Sequence, residues 1–368
     1  MNTKDSQNSE PSDATFIDLP TRIREGEELN RERLSEFLKD SIPGLAGELH
    51  VQQFPSGNSN LTYALTFENQ KLVLRRPPFG HKAKSAHDMS REYNVLKGLK
   101  PHFDYCPKPF VYSEDESIIG CPFYVMERLD GIILRKQLPA GMTLSPSQAR
   151  KLAKNFIGAF VELHSIDYLE AGLADLGKPE GYVRRQVDGW CSRYRAALTD
   201  NVPKQEDVME WLAAKMPAES DRVSILHNDY KFDNLVLDSR DPMKIIGILD
   251  WEMSTLGDPL MDLGNVLAYW VEPSDPDYHQ LVRTTPSHLE GMLTRKECLE
   301  LYAEKTGQDI GNFDFYYCFG IFRLAVIAQQ IYYRFYHGHT KVERFERFHR
   351  GTKAFAKIAR QLIENSNL

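Results

Sequence analysis

Residues 225–250 constrain this chain more than any other stretch. The run Ile225-Leu-His-Asn-Asp-Tyr-Lys-Phe-Asp-Asn-Leu-Val-Leu-Asp238 holds the spacing His227-x-Asp229-x-x-x-x-Asn234, and its last residues are a short apolar segment. A second apolar segment, Lys244-Ile-Ile-Gly-Ile-Leu-Asp250, ends in a further carboxylate and continues as Trp251-Glu252. The residues between the two segments, Ser-Arg-Asp-Pro-Met, have turn chemistry, so the pair predicts a β-hairpin. Asp and Asn also cap turns for purely structural reasons. The combination of a spaced polar set with a carboxylate at the end of the next strand asks for more than that.

Phosphoryl transfer to a hydroxyl needs little covalent help from a protein. It needs a carboxylate to hold and deprotonate the hydroxyl, and oxygen ligands to fix Mg²⁺ on the phosphates. Asp229 is the candidate base, and Asn234 and Asp250 are the candidate metal ligands. His227 is a candidate support for the loop.

The rest of the chain is read around that segment. Residues 1–18 are polar and read as a disordered arm. Leu34, Phe37 and Leu38 share a helical face, with Asn30 placed to cap it. Leu61, Tyr63, Leu65 and Phe67 alternate as a strand does, and Lys71–Arg75 completes a hairpin that Pro77 and Pro78 stop. Residues 88–99 read as a helix and Phe123–Met126 as a strand. Beyond about residue 140 the texture is helical: 145–163, 181–198, and most of the chain after the second hairpin. The fold class is therefore α+β, with a smaller part at 19–130 and a larger helical part at 131–368.

Several classes are excluded. Lys and Arg total 45 against 52 Asp and Glu, a net charge of −7, so broad nucleic-acid binding is not expected. The five cysteines form no CxxC pair, which argues against a zinc site or disulfide framework and for reduced thiols in the cytoplasm. No apolar run is long enough to span a membrane. A monomer or homodimer is expected.

The quoted segments resemble the aminoglycoside phosphotransferase and choline kinase superfamily, and within it the bacterial proteins similar to the kinase domain fused to some acyl-CoA dehydrogenases. The likeness runs in order over roughly 30–340: Phe54-Pro-Ser-Gly-Asn-Ser-Asn-Leu-Thr-Tyr63, Leu74-Arg-Arg-Pro-Pro78, Ser90-Arg-Glu-Tyr93, Tyr124-Val-Met-Glu-Arg-Leu-Asp-Gly131, the 225–250 segment, and Leu256-Gly-Asp-Pro-Leu-Met-Asp-Leu-Gly264. It implies a protein-kinase-like bilobal fold, with a small antiparallel-sheet lobe, a helical lobe, and ATP between them. Gly57, Asn58, Ser59 and Asn60 then stand at the phosphates, and Arg75 where such kinases usually carry a lysine, with Glu92 as its partner. Met126, Glu127 and Leu129 stand at the adenine hinge, and Asp262 supports the catalytic loop. The usual loop is His-Gly-Asp, and here Asn228 replaces the glycine. By itself Asp258-Pro259 reads as a helix N-cap followed by proline in the first turn.

The acceptor is less legible. Arg323, Gln330 and Arg334 share one face of a strongly apolar helix, and a charged group there should be paired or line a cavity. Residues 321–368 hold nine Lys/Arg and three acids, a basic end on an acidic body. Both features suit a small-molecule hydroxyl acceptor that is anionic, and the resemblance implies a hydroxyacyl-CoA. The alternatives are an aminoglycoside or amino-sugar kinase, which would want an acidic pocket, and an inactive nucleotide-binding regulator. A protein kinase is disfavoured, because no Asp-Phe-Gly or Ala-Pro-Glu segment stands where an activation loop would be.

Overall fold

Alternation along the strands decides which residues reach the site. A computed structural model describes residues 16–55, 60–78, 88–311 and 313–368. Its first part is an antiparallel sheet of β1 (His50–Gln53), β2 (Leu61–Thr66), β3 (Lys71–Arg76), β4 (Pro109–Ser113) and β5 (Phe123–Glu127), in the order β1-β2-β3-β5-β4. Leu72 and Leu74 of β3 face one way and pack with Leu34 and Leu38 of α1 (Arg31–Ser41), whose first turn Asn30 caps. Val73 faces the other way, among Val95, Leu96 and Leu99 of α2 (Met89–Leu99), with Tyr124 and Met126. With a period of two, Arg75 follows Val73 onto the α2 side. The hairpin and both helices agree with the sequence reading. β1 and β4 were not expected, since four or five residues carry too little alternation to stand out.

The remainder is mainly helical. It comprises α4 (Pro146–His164), α5 (Tyr182–Ala196), α6 (Glu206–Ala214), α7 (Pro259–Ala268), α8 (Asp277–Val282), α9 (Arg295–Thr306), α10 (Phe313–Tyr336) and α11 (Phe348–Asn365), while the single turn α3 (Glu116–Ile119) belongs to the sheet part, between β4 and β5. Two small antiparallel pairs interrupt the helices: β6 (Ser224–Leu226) with β9 (Thr255–Gly257), and the expected hairpin of β7 (Leu235–Leu237) with β8 (Ile245–Ile248). The β6–β9 pair closes the ends of the 224–257 segment on each other. Its three-residue strands are too short to show a period.

α7 and α10 cross at Gly264 and Gly320. A Cβ on either would strike backbone of the other helix, at Tyr316 O or Gly264 O. This close approach brings the middle of α10 under the 227–229 loop. A large apolar cluster gathers α4, α5, α7 and α10 around Phe156, Phe160, Phe319 and Phe322. None of the five cysteines is paired. Among the described residues, no helix is long and apolar enough to cross a membrane. Of the expected N-terminal arm, residues 1–15 lie outside the described residues, while Asp18 hydrogen-bonds Gly131 O at 3.2 Å and pairs with Arg135 at 3.0 Å.

Candidate active site

The loop after β6 is held by one buried carboxylate. Asp258 caps α7 through Leu260 N, with Pro259 at the start of the helix. One turn on, Asp262 is fully buried and accepts from two backbone amides, His227 N at 2.7 Å and Asn228 N at 2.9 Å. His164 approaches the same carboxylate at 3.4 Å and bonds Tyr302 through its other nitrogen at 2.8 Å. Two amides aimed at one carboxylate fix the loop direction more firmly than a neutral acceptor would.

His227 is buried and fixed on both sides. Its Nδ1 accepts from Asp229 N at 3.2 Å, and its Nε2 lies 3.0 Å from Leu249 O, which sets the Nε2–H tautomer. Burial, opposed by nearby Asp262 and Asp229, holds its pKa below the ordinary histidine value. The ring is thus a neutral brace between the loop and the end of β8.

Asn228 has φ of +62°, in the left-handed region where glycine is common and asparagine is among the better-tolerated others. Its side chain reaches Tyr182 of α5, Asn265 of α7 and Met253 O at 3.1–3.3 Å, and its main-chain oxygen accepts from Arg323 Nη2 at 2.7 Å. Where the glycine would leave the loop bare, asparagine ties it to three neighbours.

Asp229 points out of this frame and is partly exposed. Its Oδ2 accepts from Asn234 Nδ2 and lies beside Lys231 Nζ, both at 3.0 Å. Its Oδ1 accepts from Tyr269 OH at 3.1 Å. Burial and the neighbouring Asp229 push the Tyr269 pKa up to about 12, so the phenol stays a donor. Burial alone would lower the Lys231 pKa, but Tyr269, Asp229 and Asp233 outweigh it and hold the ammonium charged. Lys231 and Tyr269 were missed as site residues. Lys231 could have been noticed two places after Asp229, whereas nothing in the sequence marks Tyr269, brought in by α7.

Across from this loop, Arg75 gathers three acids from two segments. It pairs with Glu92 of α2 through Nη1, with Asp250 at 2.9 Å through Nη2, and lies 3.7 Å from Glu252. Glu92 also accepts from Trp251 N at 3.3 Å. Burial would raise the Asp250 pKa, but the Arg75 charge and hydrogen bond hold it below the ordinary carboxylate value. Asp250 has φ of +69°, a bend that a side chain rarely adopts and that turns its carboxylate toward Arg75. Asn60 Nδ2 donates to Glu252 at 2.9 Å, while Gly57, Asn58 and Ser59 lie outside the described residues. Arg91 of α2 reaches Ser254 O at 2.6 Å and Leu176 O at 2.7 Å, fixing this end of the helix to the segment after Asp250.

Met126 is buried in β5, and Glu127 is anchored to Lys108 through its backbone N and its carboxylate. Leu129 lies against Gly247 of β8, where a Cβ would not fit. The structure thus brings Asp229, Asn234, Asp250, Arg75, Glu92, Asn60, His227 and Asp262 into one connected region. Arg323, Gln330 and Arg334 do not act together. Arg323 is buried under the catalytic loop and stacks near Trp190 at 5.2 Å, Gln330 is half-buried, and Arg334 is exposed. One face of α10 leaves the core along its length, so equal angular position gives unequal burial.

A sheet-and-helix lobe feeding one cation to a carboxylate, opposite a loop with a second carboxylate and an asparagine, defines a small-molecule phosphotransferase of the protein-kinase-like class. The sequence matches the phosphotransferase enzyme family (APH) over residues 50–291, and the chain belongs to that family. It is 32% identical to the mouse protein acyl-CoA dehydrogenase family member 10 over 92% of this chain, and 30% identical to human acyl-CoA dehydrogenase family member 11 over 90%. It spans only 31% and 42% of the lengths of those two relatives. A crystal structure of a candidate aminoglycoside phosphotransferase from Ralstonia eutropha is similar with TM-score 0.79 and 29% identity, covering 93% of this chain and 100% of that one. Choline kinase from Cryptosporidium parvum shares the fold at TM-score 0.56 and 15% identity, covering 90% and 94%.

Proposed function

We propose that the chain moves the γ-phosphoryl group of Mg²⁺-ATP to a hydroxyl of a small molecule, with Asp229 as the base. The observation that carries this is the set of donors on Asp229. Asn234, Lys231 and Tyr269 fix its two oxygens, so the carboxylate is oriented before any acceptor arrives. The acceptor hydroxyl gives its proton to Asp229 as its oxygen gains the phosphoryl group and the bond to the nucleotide breaks.

The donor set suits Mg²⁺. Asp250 offers carboxylate oxygen, and Asn234 commits its amide nitrogen to Asp229, which leaves its carbonyl oxygen for a hard cation. Among the described residues, no group of three or more His, Cys, Asp or Glu could hold a metal alone. That fits a cation held largely by substrate phosphates. When bound, Mg²⁺ neutralises charge across the phosphates. Arg75 supplies a fixed positive charge on the sheet side, and Lys231 supplies one beside the base. Met126, Glu127 and Leu129 form the hinge that takes adenine.

The acceptor we favour is a hydroxyacyl-CoA. The relatives named acyl-CoA dehydrogenase family members 10 and 11 support a chemistry coupled to acyl-CoA compounds. A cytoplasmic setting fits the unpaired cysteines. A second reading, an aminoglycoside acceptor, is favoured by the Ralstonia eutropha structure. Turnover of ATP against hydroxyacyl-CoA esters, aminoglycosides and choline tests the choice. Turnover only with an aminoglycoside would reject the first acceptor, and an ATP analogue that fails to bind with Mg²⁺ would reject the kinase reading.

A further inference from the structure

Arg283 is a buried cation with no paired carboxylate among the described residues. Only 8% of its surface is exposed, yet it lies shallow in the molecule. Its Nη1 donates to Lys136 O at 2.6 Å and Thr285 O at 3.2 Å, while its Nε is buried and unpartnered. Among the described residues no carboxylate pairs with it, and burial lowers its pKa. A guanidinium taken out of water is ordinarily matched by an opposite charge.

Lys136 adds a second positive charge, and His288 adds a neutral ring, its pKa held below the ordinary value by burial and by those two cations. His288 is half-buried with an unpartnered Nδ1, and the charges that act on it are Arg283 and Lys136, both cations. Lys136 is exposed, and Arg135 beside it shares Asp18. The group therefore joins the segment just after the hinge to the loop at 283–288.

That loop is tied to the candidate active site. Thr285 donates to Tyr269 O at 3.2 Å, and Ser287 bonds Val271 through both backbone groups at 2.9 Å. Tyr269 in turn donates to Asp229. Arg135 acts electrostatically on Asp233 of the catalytic loop. The cationic group is thus linked to Asp229 through Thr285 and Tyr269.

We infer that Arg283, Lys136 and His288, with Arg135 at the rim, form a binding site for a phosphate group of the acceptor. This rests on the kinase reading for the role of the bound molecule, but not for the binding itself. Arg283, Lys136 and Arg135 bring cations from two segments and His288 a hydrogen-bonding ring, a set that suits a multiply charged phosphate better than a single carboxylate. The acceptor's anionic end then sits here, and not on the α10 face of Arg323, Gln330 and Arg334.

The test is calorimetric titration of protein saturated with ADP, using coenzyme A, pantetheine (the same thiol without the phosphates and the adenosine) and inorganic phosphate. Coenzyme A should bind at least about tenfold more tightly than pantetheine, and inorganic phosphate should compete with it. Lys136→Ala and Arg283→Gln should each weaken coenzyme A about tenfold and leave ADP unchanged. Lys136 is exposed, so its variant carries the test if Arg283→Gln does not fold. Unchanged coenzyme A affinity in Lys136→Ala overturns the site, as does a wild type that binds no phosphate-bearing probe. If inorganic phosphate alone binds, and Lys136→Ala loses it, the phosphate site stands and the coenzyme A acceptor falls. If ADP itself fails to bind, the kinase reading fails independently.

Discussion

Arg323 Nη2 lies 2.7 Å from the main-chain oxygen of Asn228, the residue immediately before the candidate base. The guanidinium reaches from the middle of α10 and sets the carbonyl of a residue with positive φ. Removing it leaves a buried carbonyl unpaired, a loss of about 1–3 kcal/mol. Arg323→Met should lower unfolding stability by that amount and reduce kcat more than it raises KM for ATP. Asn228→Gly keeps the left-handed conformation and removes the side-chain bonds, so it should cost about 1 kcal/mol and retain most activity. Urea unfolding together with steady-state kinetics checks both.

Arg75 holds Glu92 and Asp250 with different nitrogens of one fork. Lysine is a point charge and cannot keep both contacts in that geometry. Arg75→Lys is expected to raise KM for ATP about tenfold with a smaller change in kcat. An unchanged KM would show that the fork does not order the nucleotide side.

Asp262 satisfies two backbone amides at the start of the loop. Asp262→Asn turns one oxygen into a donor facing a donor. The expected loss is about 3 kcal/mol, near the upper range for an unsatisfied buried group. Differential scanning calorimetry should show it, with hydrogen exchange rising first at His227 and Asn228.

The pH dependence of stability follows from His227 and Asp250. Both have folded pKa values held below the ordinary ones, so the unfolded chain binds their protons more readily. Stability from His227 is present above about 6.5 and is lost as pH falls below it toward the folded value. The contribution of Asp250 is lost lower, as pH falls below 3.8. Glu92 has the opposite sign, since burial raises its pKa and its charged form is the disfavoured one. Burial holds His279 and His288 low as well, so urea unfolding between pH 5 and 7.5 should show stability decreasing toward acid, each histidine adding at most about 1.4 kcal/mol per pH unit and Glu92 opposing. His227→Gln should reduce that slope without abolishing it.

Much of this was legible in the chain. The 225–250 segment, its hairpin and the α7 cap at Asp258 depend on short-range patterns, whereas the pairing of Arg75 with Glu92 was legible only through the family resemblance. Tyr269 and the Arg283 group did not show, because they acquire meaning only when α7 brings Tyr269 to Asp229 and the 283–288 loop folds back onto Tyr269 and Val271. Arg323 showed as a buried charge on an apolar helix, but its partner is a backbone oxygen, which no sequence pattern marks. Gln330 and Arg334 illustrate the reverse error. Equal spacing on a helix does not mean equal depth when the helix runs out of the core.

The direct test of the central claim is Asp229→Asn. ATP turnover is measured with the best acceptor from the hydroxyacyl-CoA, aminoglycoside and choline panel, alongside affinity for an ATP analogue. A base at Asp229 predicts a fall in kcat of about 10²–10⁴-fold with analogue binding retained. Equal turnover in the wild type and the variant on every acceptor would contradict it.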